Sequence, residues 1–293
     1  MKGTVNKGFV CLLDVLGFKS LTDDQMVRVV DTLEDIWKRI LPDALSAHIG
    51  NERRLETPTA LLFQDTIAIA FPLTGDRVIA QTVFYAINNS IGLLYCCLLA
   101  DGIKVRGAVG YGTIYVREHG VFGTAVYDAS SEYERANWAG IHYTPEAAKL
   151  IAGWIGWAAR EGTNVSIPYQ GTDHHEFEIQ FPFFRIPFKD ADNSKSVCDP
   201  NVQRRESRVA IPWPKDYRLV MSTAQILGVD RRTVSTQIHA ILDPELEHAD
   251  DCVKLKIANT LEFCDKYLHK FPQVNSPVEW YGPLPPPMKE SSS

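Results

Sequence analysis

Two aspartates stand in apolar runs, where a carboxylate is costly. Asp14 lies within FVCLLDVLGF at residues 9–18, and Asp65 lies within LLFQDTIAIAF at residues 61–71. An ionised carboxylate in apolar surroundings costs free energy unless it is ion-paired, hydrogen-bonded or bound to a metal. An aspartate at a strand end can also be purely structural, as the cap of the next turn. A catalytic role for Asp14 therefore requires the second acid nearby in the fold.

A pair of carboxylates at neighbouring strand ends suits two-metal phosphoryl transfer. Two bare carboxylates a few ångströms apart repel, and one of them would stay protonated. With two Mg²⁺ or Mn²⁺ ions between Asp14 and Asp65, the metals would clamp the attacking and leaving oxygens, and substrate phosphates would complete their coordination. The segment after Asp14 is predicted to turn into a helix whose free amides could hold phosphate oxygens. Its residues are Val15, Leu16, Gly17, Phe18 and Lys19.

The elements that must position these aspartates follow from the hydrophobic periodicity. The predicted elements are a strand at 7–14, a helix at 23–41, a hairpin at 59–72 folded about Gln64-Asp65, a helix at 76–100, β-structure at 103–126, a short helix at 127–140, a strand after it, and a helix opening at Thr144. Strands with helices interspersed predict an α+β sandwich in which one sheet is covered by helices.

The pattern weakens after residue 160. The predicted elements there are an edge strand within 176–189, a loop at 190–208 and a long helix at 244–270. We therefore predict a core at residues 1–160, an extension at 161–275 packed on that core, and a disordered tail at 276–293.

Composition limits the classes of partner. The chain has 293 residues and a net charge of −6, so it has no global basic field to attract nucleic acid. The most apolar long stretch, residues 77–100, contains Arg77, Gln81, Asn88 and Asn89, so we expect a buried helix and no membrane span. Six cysteines without a CxxC pair, and no signal peptide at the N-terminus, lead us to expect a reducing, cytoplasmic location.

Four short motifs occur in an order that resembles a known family. They are DVLGF at 14–18, FQDTIAIAF at 63–71, RGAVGYG at 106–112 and FGTAVYDA at 122–129. At this spacing they resemble the catalytic domain of class III nucleotidyl cyclases over roughly residues 7–150. The resemblance implies a ferredoxin-like α+β sandwich, here followed by a C-terminal extension and a long C-terminal helix.

The resemblance also implies a reaction and an assembly. Asp14 and Asp65 would hold two Mg²⁺ or Mn²⁺ ions per active site. The ribose 3′-hydroxyl of a nucleoside triphosphate would attack the α-phosphate and release pyrophosphate, while amides of residues 15–18 hold the triphosphate. The protein would be a homodimer with active sites at the subunit interface.

The departures from the family pattern concern the base and the ribose. Leu61 stands where purine cyclases carry a charged residue that reads the base, and Gly120 stands where they carry a second base-reading residue. Tyr127 replaces the asparagine that orients the ribose, and Ser131 replaces the arginine of the transition state. Arg135, one helical turn further on, is the candidate for the lost charge and would act in the partner subunit's site. Tyr127 would lie near the ribose or the base.

Retained metal acids with lost purine readers resemble the pyrimidine cyclases of the Pycsar anti-phage defence system. The implied product is a 3′,5′-cyclic nucleotide made from UTP, which we favour, or from CTP, and it would act on a separate effector protein. Two alternatives stay open. One is a purine cyclase, although Leu61 and Gly120 would leave a purine edge without polar partners. The other is an inactive nucleotide sensor. Arg106 is either a phosphate contact or a salt-bridge partner.

Overall fold

The described part of the chain is a mixed α/β structure with one large mixed sheet and a separate two-stranded ribbon. It is a computed structural model that describes residues 6–35, 38, 58–73, 77–117, 120–151, 183–189, 204–215, 217 and 231–270. The strands are β1 (Asn6–Val15), β2 (Thr59–Phe63), β3 (Thr66–Leu73), β4 (Val105–Arg117), β5 (Gly120–Phe122), β6 (Ile141–Tyr143), β7 (Phe183–Phe188) and β8 (Arg204–Val209). The helices are α1 (Asp23–Asp35), α2 (Arg77–Ala100), α3 (Thr124–Tyr133), α4 (described over 145–151), α5 (Arg231–His248) and α6 (Asp251–Lys270).

β1 is the central strand of the six-stranded sheet. It pairs antiparallel with β3 on one side and with β4 on the other, while β2 lies outside β3 and β5 lies outside β4. β6 joins β4 in parallel. Residues 9–13 of β1 are buried because both faces of this strand are covered. The predicted strand at 7–14 and the hairpin about Gln64-Asp65 are confirmed, and Gln64 takes a positive φ of 53° in the turn.

α1 and α2 pack on one face of this sheet. Thr22 caps α1, because its hydroxyl accepts a hydrogen bond from the Gln25 amide at 3.3 Å and its own amide donates to Gln25 Oε1 at 3.0 Å. Val29 and Leu33 turn the apolar stripe of α1 toward the core. α2 ends at Ala100, as its predicted stop requires, and the rest of the predicted first helix beyond residue 35 falls largely outside the described residues.

α3 packs on the opposite face, and its bounds differ from the prediction. The helix begins at Thr124 and ends at Tyr133, whereas the sequence predicted β-structure to 126 and a helix to 140. The helix ends before residue 140 because the main-chain amides that follow it donate hydrogen bonds to other parts of the chain. The Asn137 amide donates to the Pro187 carbonyl at 2.8 Å, and the Ala139 amide donates to Thr260 Oγ1 at 2.9 Å.

Glycines of the RGAVGYG motif permit two kinds of close backbone approach. Gly107 permits an approach within a strand pair, since a Cβ there would lie 2.5 Å from the Leu12 carbonyl oxygen. Gly110 instead admits a helix: a Cβ there would lie 2.5 Å from both the Ala125 carbonyl oxygen and the Ala129 amide nitrogen. α3 therefore lies directly against the backbone of β4.

The C-terminal elements correct two further predictions. β8 begins inside the segment 190–208 that was predicted as loop, and it pairs antiparallel with β7. The predicted helix at 244–270 is instead the two helices α5 and α6, because Asp250 starts a new helix: its carboxylate accepts the Val253 amide at 2.9 Å. The predicted tail at 276–293 lies outside the described residues.

Aromatic side chains join these elements to the first 150 residues. The Trp138 ring lies 5.8 Å from the Phe184 ring and 5.0 Å from the Phe263 ring, measured between centroids. The Tyr95 ring of α2 lies 4.5 Å from the Trp213 ring, and the Tyr95 hydroxyl donates to the Ala139 carbonyl at 2.9 Å. β7 and α6 thus share one core with the large sheet.

Helices of the described ranges lack the length and apolar character that a membrane crossing needs. Cys11, Cys96 and Cys264 are free thiols and are buried, and they pack in the core as small apolar residues do. Cys252, by contrast, is disulfide-bonded, which does not fit the expectation of a reducing compartment.

Candidate functional site

Asp14 and Asp65 lie at the same edge of the large sheet. The β1–β3 register ends with Asp14 opposite Thr66, the residue next to Asp65. One residue further on, the Val15 amide donates a hydrogen bond to the Asp65 carbonyl at 2.8 Å. The strands that carry the two acids are therefore neighbours, as the two-metal hypothesis requires. Both aspartates are partly exposed at this edge.

Arg106 is an ion-pair partner of Asp14. The two residues lie opposite each other in the β1–β4 register. Arg106 Nε donates to Asp14 Oδ2 at 2.8 Å, and Nη2 lies 2.7 Å from the same oxygen, with both side chains almost buried at 12% and 14% exposure. Nη1 reaches the Glu134 carbonyl oxygen at 3.3 Å. Of the two alternatives for Arg106, the salt bridge is present; a contact with substrate stays a prediction.

Two lysines from the C-terminal part of the chain lie near this ion pair. Lys189 directly follows β7, and Lys256 lies in the second turn of α6. Burial, together with the charges of Arg106 and Lys256, lowers the pKa of Lys189 to about 8, and Glu134 and Asp14 oppose that change. Burial and Arg106 likewise lower the pKa of Lys256, against Asp250 and Asp14. The site thus gathers three cations around Asp14.

Tyr133 and Glu134 complete the polar surroundings of Asp14. The Tyr133 hydroxyl donates to Glu134 Oε1 at 2.9 Å. Burial, this hydrogen bond and the Glu134 and Asp14 charges raise the pKa of Tyr133 to about 12, while Arg106 lowers it. Sequence analysis missed Tyr133, Glu134 and Lys189. A signal for Tyr133 and Glu134 was available, because both directly follow the family-like motif at 122–129.

The proposed phosphate-binding amides are in part already used. The Val15 amide donates to the Asp65 carbonyl, and the Leu16 amide donates to the Lys104 carbonyl, both at 2.8 Å. Phosphate binding by these two amides, which stays a prediction, would have to replace these two main-chain bonds. Gly17, at φ 71°, leads into a single turn of 3₁₀ helix over Phe18–Ser20, in which Lys19 is exposed. The roles of residues 17–19 stay predictions.

The donor set fits a hard divalent cation that substrate helps to bind. Asp14 and Asp65 offer carboxylate oxygens, which Mg²⁺ and Mn²⁺ prefer. Both Arg106 contacts fall on Asp14 Oδ2, and among the described residues no hydrogen bond falls on Oδ1. In the described ranges no three His, Cys, Asp or Glu side chains group as a metal site. Phosphate and water oxygens would therefore supply the remaining ligands.

Arg135, the predicted transition-state arginine, is engaged within its own chain. Its Nη1 donates to Glu132 Oε1 at 2.8 Å, and its guanidinium lies 5.3 Å from the centre of the Phe188 ring. Its side chain is 41% exposed. Glu132 is buried and also meets Arg208 at 3.4 Å and His142 at 3.8 Å. Burial opposes ionisation of Glu132, but these neighbours outweigh it and lower its pKa.

The other predicted substrate residues lie apart from one another. Tyr127 lies on α3 and is 76% exposed. Leu61 lies on the edge strand β2, opposite Ala68, and is partly exposed. Gly120 begins β5, at the other edge of the sheet from β2. A single chain therefore does not bring these three positions together, and their roles in one site require a second chain.

No protein-family model matches this chain, and no curated protein matches it significantly. The function is therefore inferred from the site and from the resemblance of its motifs.

Proposed function

We propose that the protein is a pyrimidine nucleotide cyclase, which converts UTP, or alternatively CTP, into its 3′,5′-cyclic nucleotide and pyrophosphate. The observation that carries the proposal is that Asp14 and Asp65 lie at the ends of adjacent strands, which the hydrogen bond from the Val15 amide to the Asp65 carbonyl joins. Two acids at neighbouring strand ends, beside a set of cations, suit phosphoryl transfer on a polyanionic substrate.

The strand order supports the fold that the cyclase resemblance implies. The order β2-β3-β1-β4 is antiparallel throughout. In chain order α1 lies between β1 and β2, and α2 lies between β3 and β4. This order supports the split β-α-β path that the resemblance implies. In such a unit the ends of β1 and of the β2–β3 hairpin adjoin. The proposed metal acids lie at these two positions.

The reaction would use this chain's residues to hold and orient the substrate. Asp14 and Asp65 would be the protein ligands of Mg²⁺ or Mn²⁺, and two bound ions would acidify the 3′-hydroxyl and neutralise the leaving pyrophosphate. Arg106 fixes the orientation of the Asp14 carboxylate. The ribose 3′-oxygen forms the new bond to the α-phosphorus, the bond from that phosphorus to the bridging β-phosphate oxygen breaks, and the hydroxyl proton passes to water.

Base choice and assembly belong to the same proposal. Leu61 offers no hydrogen bond to a purine edge, so a smaller pyrimidine leaves fewer polar groups unpaired. Tyr115, Phe122 and Tyr127 are exposed, and Tyr115 pairs directly with Phe122 across the β4–β5 ladder. Such an apolar surface supports burial against a second copy. The enzyme would be a homodimer whose product acts on a separate effector protein during phage infection.

A second candidate function is a nucleotide sensor without turnover. Two observations favour it: Arg106 already pairs with Asp14, and Arg135 already pairs with Glu132. A sensor would bind the nucleotide while these ion pairs remain, whereas an enzyme must release Asp14 to a metal.

Product analysis tests the proposal. Purified protein is incubated with Mn²⁺ and each of the four ribonucleoside triphosphates separately, and products are identified by mass spectrometry. We expect one cyclic pyrimidine product, lost in Asp65→Asn and kept in the control Asp24→Asn, an exposed aspartate at the start of α1. Asp65 is the better test because Asp14→Asn would also break the Arg106 ion pair. A cyclic purine would overturn the base assignment, and nucleotide binding without product would favour the sensor.

A further inference from the structure

Cys252, at the start of α6, is bonded to another cysteine. Among the described cysteines it alone is in a disulfide. The others carry thiols and are Cys11, Cys96, Cys97 and Cys264. The chain has six cysteines, and the sixth is Cys198, which lies outside the described residues between β7 and β8. Within one chain, Cys198 is therefore the remaining partner for Cys252.

The connection that carries Cys198 begins beside the first turns of α6. The last residue of β7 pairs with the first residue of β8, so this connection leaves and returns at one place. The Lys189 amide donates to the Arg135 carbonyl at 2.8 Å, which fixes the point of departure. Lys189 lies close enough to Lys256 on α6 for their charges to interact. Cys252 precedes Lys256 by one helical turn on the same face, so the disulfide needs no long reach.

α6 is attached to the core by contacts that do not involve the disulfide. Asn259 Nδ2 donates to the Asn137 carbonyl at 2.8 Å, and Thr260 Oγ1 accepts the Ala139 amide at 2.9 Å. These buried contacts lie about two turns beyond Cys252. The body of α6 therefore stays in place when the disulfide opens, and only the start of the helix is released.

The other cysteines are poor partners for exchange with this disulfide. Burial raises the pKa of the Cys11 and Cys264 thiols, and burial with nearby acids raises the pKa of Cys97 to about 11. A thiol that stays protonated does not attack a disulfide. Cys252 is partly exposed, so a small thiol from solution has access to its sulfur. One disulfide among several thiols also differs from the disulfide frameworks of secreted domains and is typical of a redox-sensing pair.

We propose that Cys252 and Cys198 form a reversible disulfide, a redox switch that ties the connection between β7 and β8 to the start of α6. The inference does not rest on the proposed function. Its effect reaches the candidate site because Lys256, one turn after Cys252, interacts through its charge with Asp14.

Glutathione supplies the electrons and takes them back. In closing, the two cysteines together give two protons and two electrons, and oxidised glutathione accepts the electrons and leaves as two thiols. In opening, a glutathione thiolate attacks one cysteine sulfur, the S–S bond breaks, and the released cysteine thiolate takes a proton. A second glutathione thiolate then attacks the glutathione sulfur of the mixed disulfide. Oxidised glutathione leaves, and the second cysteine is protonated.

Peptide mapping in glutathione mixtures tests the switch. The purified full chain is equilibrated in mixtures of reduced and oxidised glutathione, blocked with N-ethylmaleimide, digested without reductant and analysed by mass spectrometry. We expect a linked peptide of Cys198 and Cys252 in excess oxidised glutathione, and both cysteines alkylated in excess reduced glutathione while circular dichroism still shows a folded chain. Cys97→Ser is the matched control and should change state at the same glutathione ratio.

Two further readouts report what the disulfide does to the fold. The reduced chain should unfold at a midpoint at least about 5 °C lower than the oxidised chain, the usual effect of losing a disulfide. Hydrogen exchange should become faster at amides 251–256 and stay unchanged at amides 257–268. Cys198→Ser and Cys252→Ser should each unfold like the reduced wild type and should not respond to glutathione.

Three results would overturn the switch. One is a linked peptide that resists excess reduced glutathione until the chain is unfolded, since that bond is static. Another is a linked peptide that joins Cys252 to any cysteine other than Cys198, including one of a second chain. The third is Cys198→Ser that still responds to glutathione. No readout involves a nucleotide, so the switch stands or fails independently of cyclase activity.

Discussion

Arg106 and Asp14 face each other across the β1–β4 ladder and form an almost buried ion pair, with two guanidinium nitrogens within 2.8 Å of one carboxylate oxygen. The pair lies at the end of β1, next to Asp65 in the turn between β2 and β3. Arg106 supplies the counter-charge of Asp14 when no metal is bound. A metal ion that binds Asp14 must therefore compete with Arg106 for this carboxylate. Stability and metal affinity are therefore linked at this residue.

Removing one partner of the ion pair should destabilise the fold. Asp14→Asn leaves the Arg106 guanidinium almost buried without its counter-charge, and we expect a loss of about 3 kcal/mol in the free energy of unfolding. Urea unfolding followed by circular dichroism measures it. Asp65→Asn is the control and should cost far less, because no ion pair of Asp65 occurs among the described residues. If Asp14→Asn unfolds at the wild-type urea concentration, the ion pair contributes nothing.

Mn²⁺ should compete with Arg106 for Asp14. Arg106→Gln removes a cation adjacent to the carboxylate, so we expect Mn²⁺ to bind at least about tenfold more tightly than to the wild type, by the Coulomb energy of a near-surface charge. Electron paramagnetic resonance of free Mn²⁺ reports the affinity. Asp65→Asn in the same background should reverse the gain. Equal Mn²⁺ binding in Arg106→Gln and the wild type would exclude Asp14 as a metal ligand.

The contact between α3 and β4 depends on a missing side chain. Gly110→Ala would place a Cβ 2.5 Å from backbone atoms of both Ala125 and Ala129, so the helix must move away from the strand. We expect a loss of about 2 kcal/mol, the usual range for overpacking, measured by thermal unfolding. Gly102→Ala is the control: it has open space and pays only for its positive φ of 75°. An unchanged midpoint in Gly110→Ala would refute the close packing.

The part of the site around Asp14 and Asp65 could be predicted because its sequence signals are local. The apolar runs around Asp14 and Asp65 and the two-residue turn between β2 and β3 are sequence-adjacent features, and the structure has them. The two carbonyls that bring Arg106 and Lys189 together are different, because they join residues far apart in the chain. No periodicity indicates such a contact, so Lys189 was not assigned to the site.

Tertiary contacts also explain the wrong element bounds. β8 is rich in charge and was predicted as loop, but Arg205 on it makes bidentate contacts of 2.9–3.1 Å with Glu262 on α6. A charged strand is stable when its partners come from another element. The break between α5 and α6 did have a local signal, since Asp250-Asp251 is a usual helix start.

Lys189 should make stability depend on pH in the alkaline range. Its pKa is about 8 in the folded chain, against 10.5 when unconstrained, so below pH 8 both states bind the proton and folding carries the full cost of a half-buried charge. Between these two values the unfolded state binds more protons, and stability from this group rises with pH. Other buried groups titrate too, so the readout is the difference between wild type and Lys189→Gln.

We expect the wild type to gain stability relative to Lys189→Gln as the pH rises from 7 to 10, because only the wild type loses the cost of the charge. Chemical unfolding at several pH values gives this difference. Lys149→Gln, at an exposed lysine, should show no such trend. A difference that stays flat from pH 7 to 10 would mean that Lys189 is not held among the cations beside Asp14.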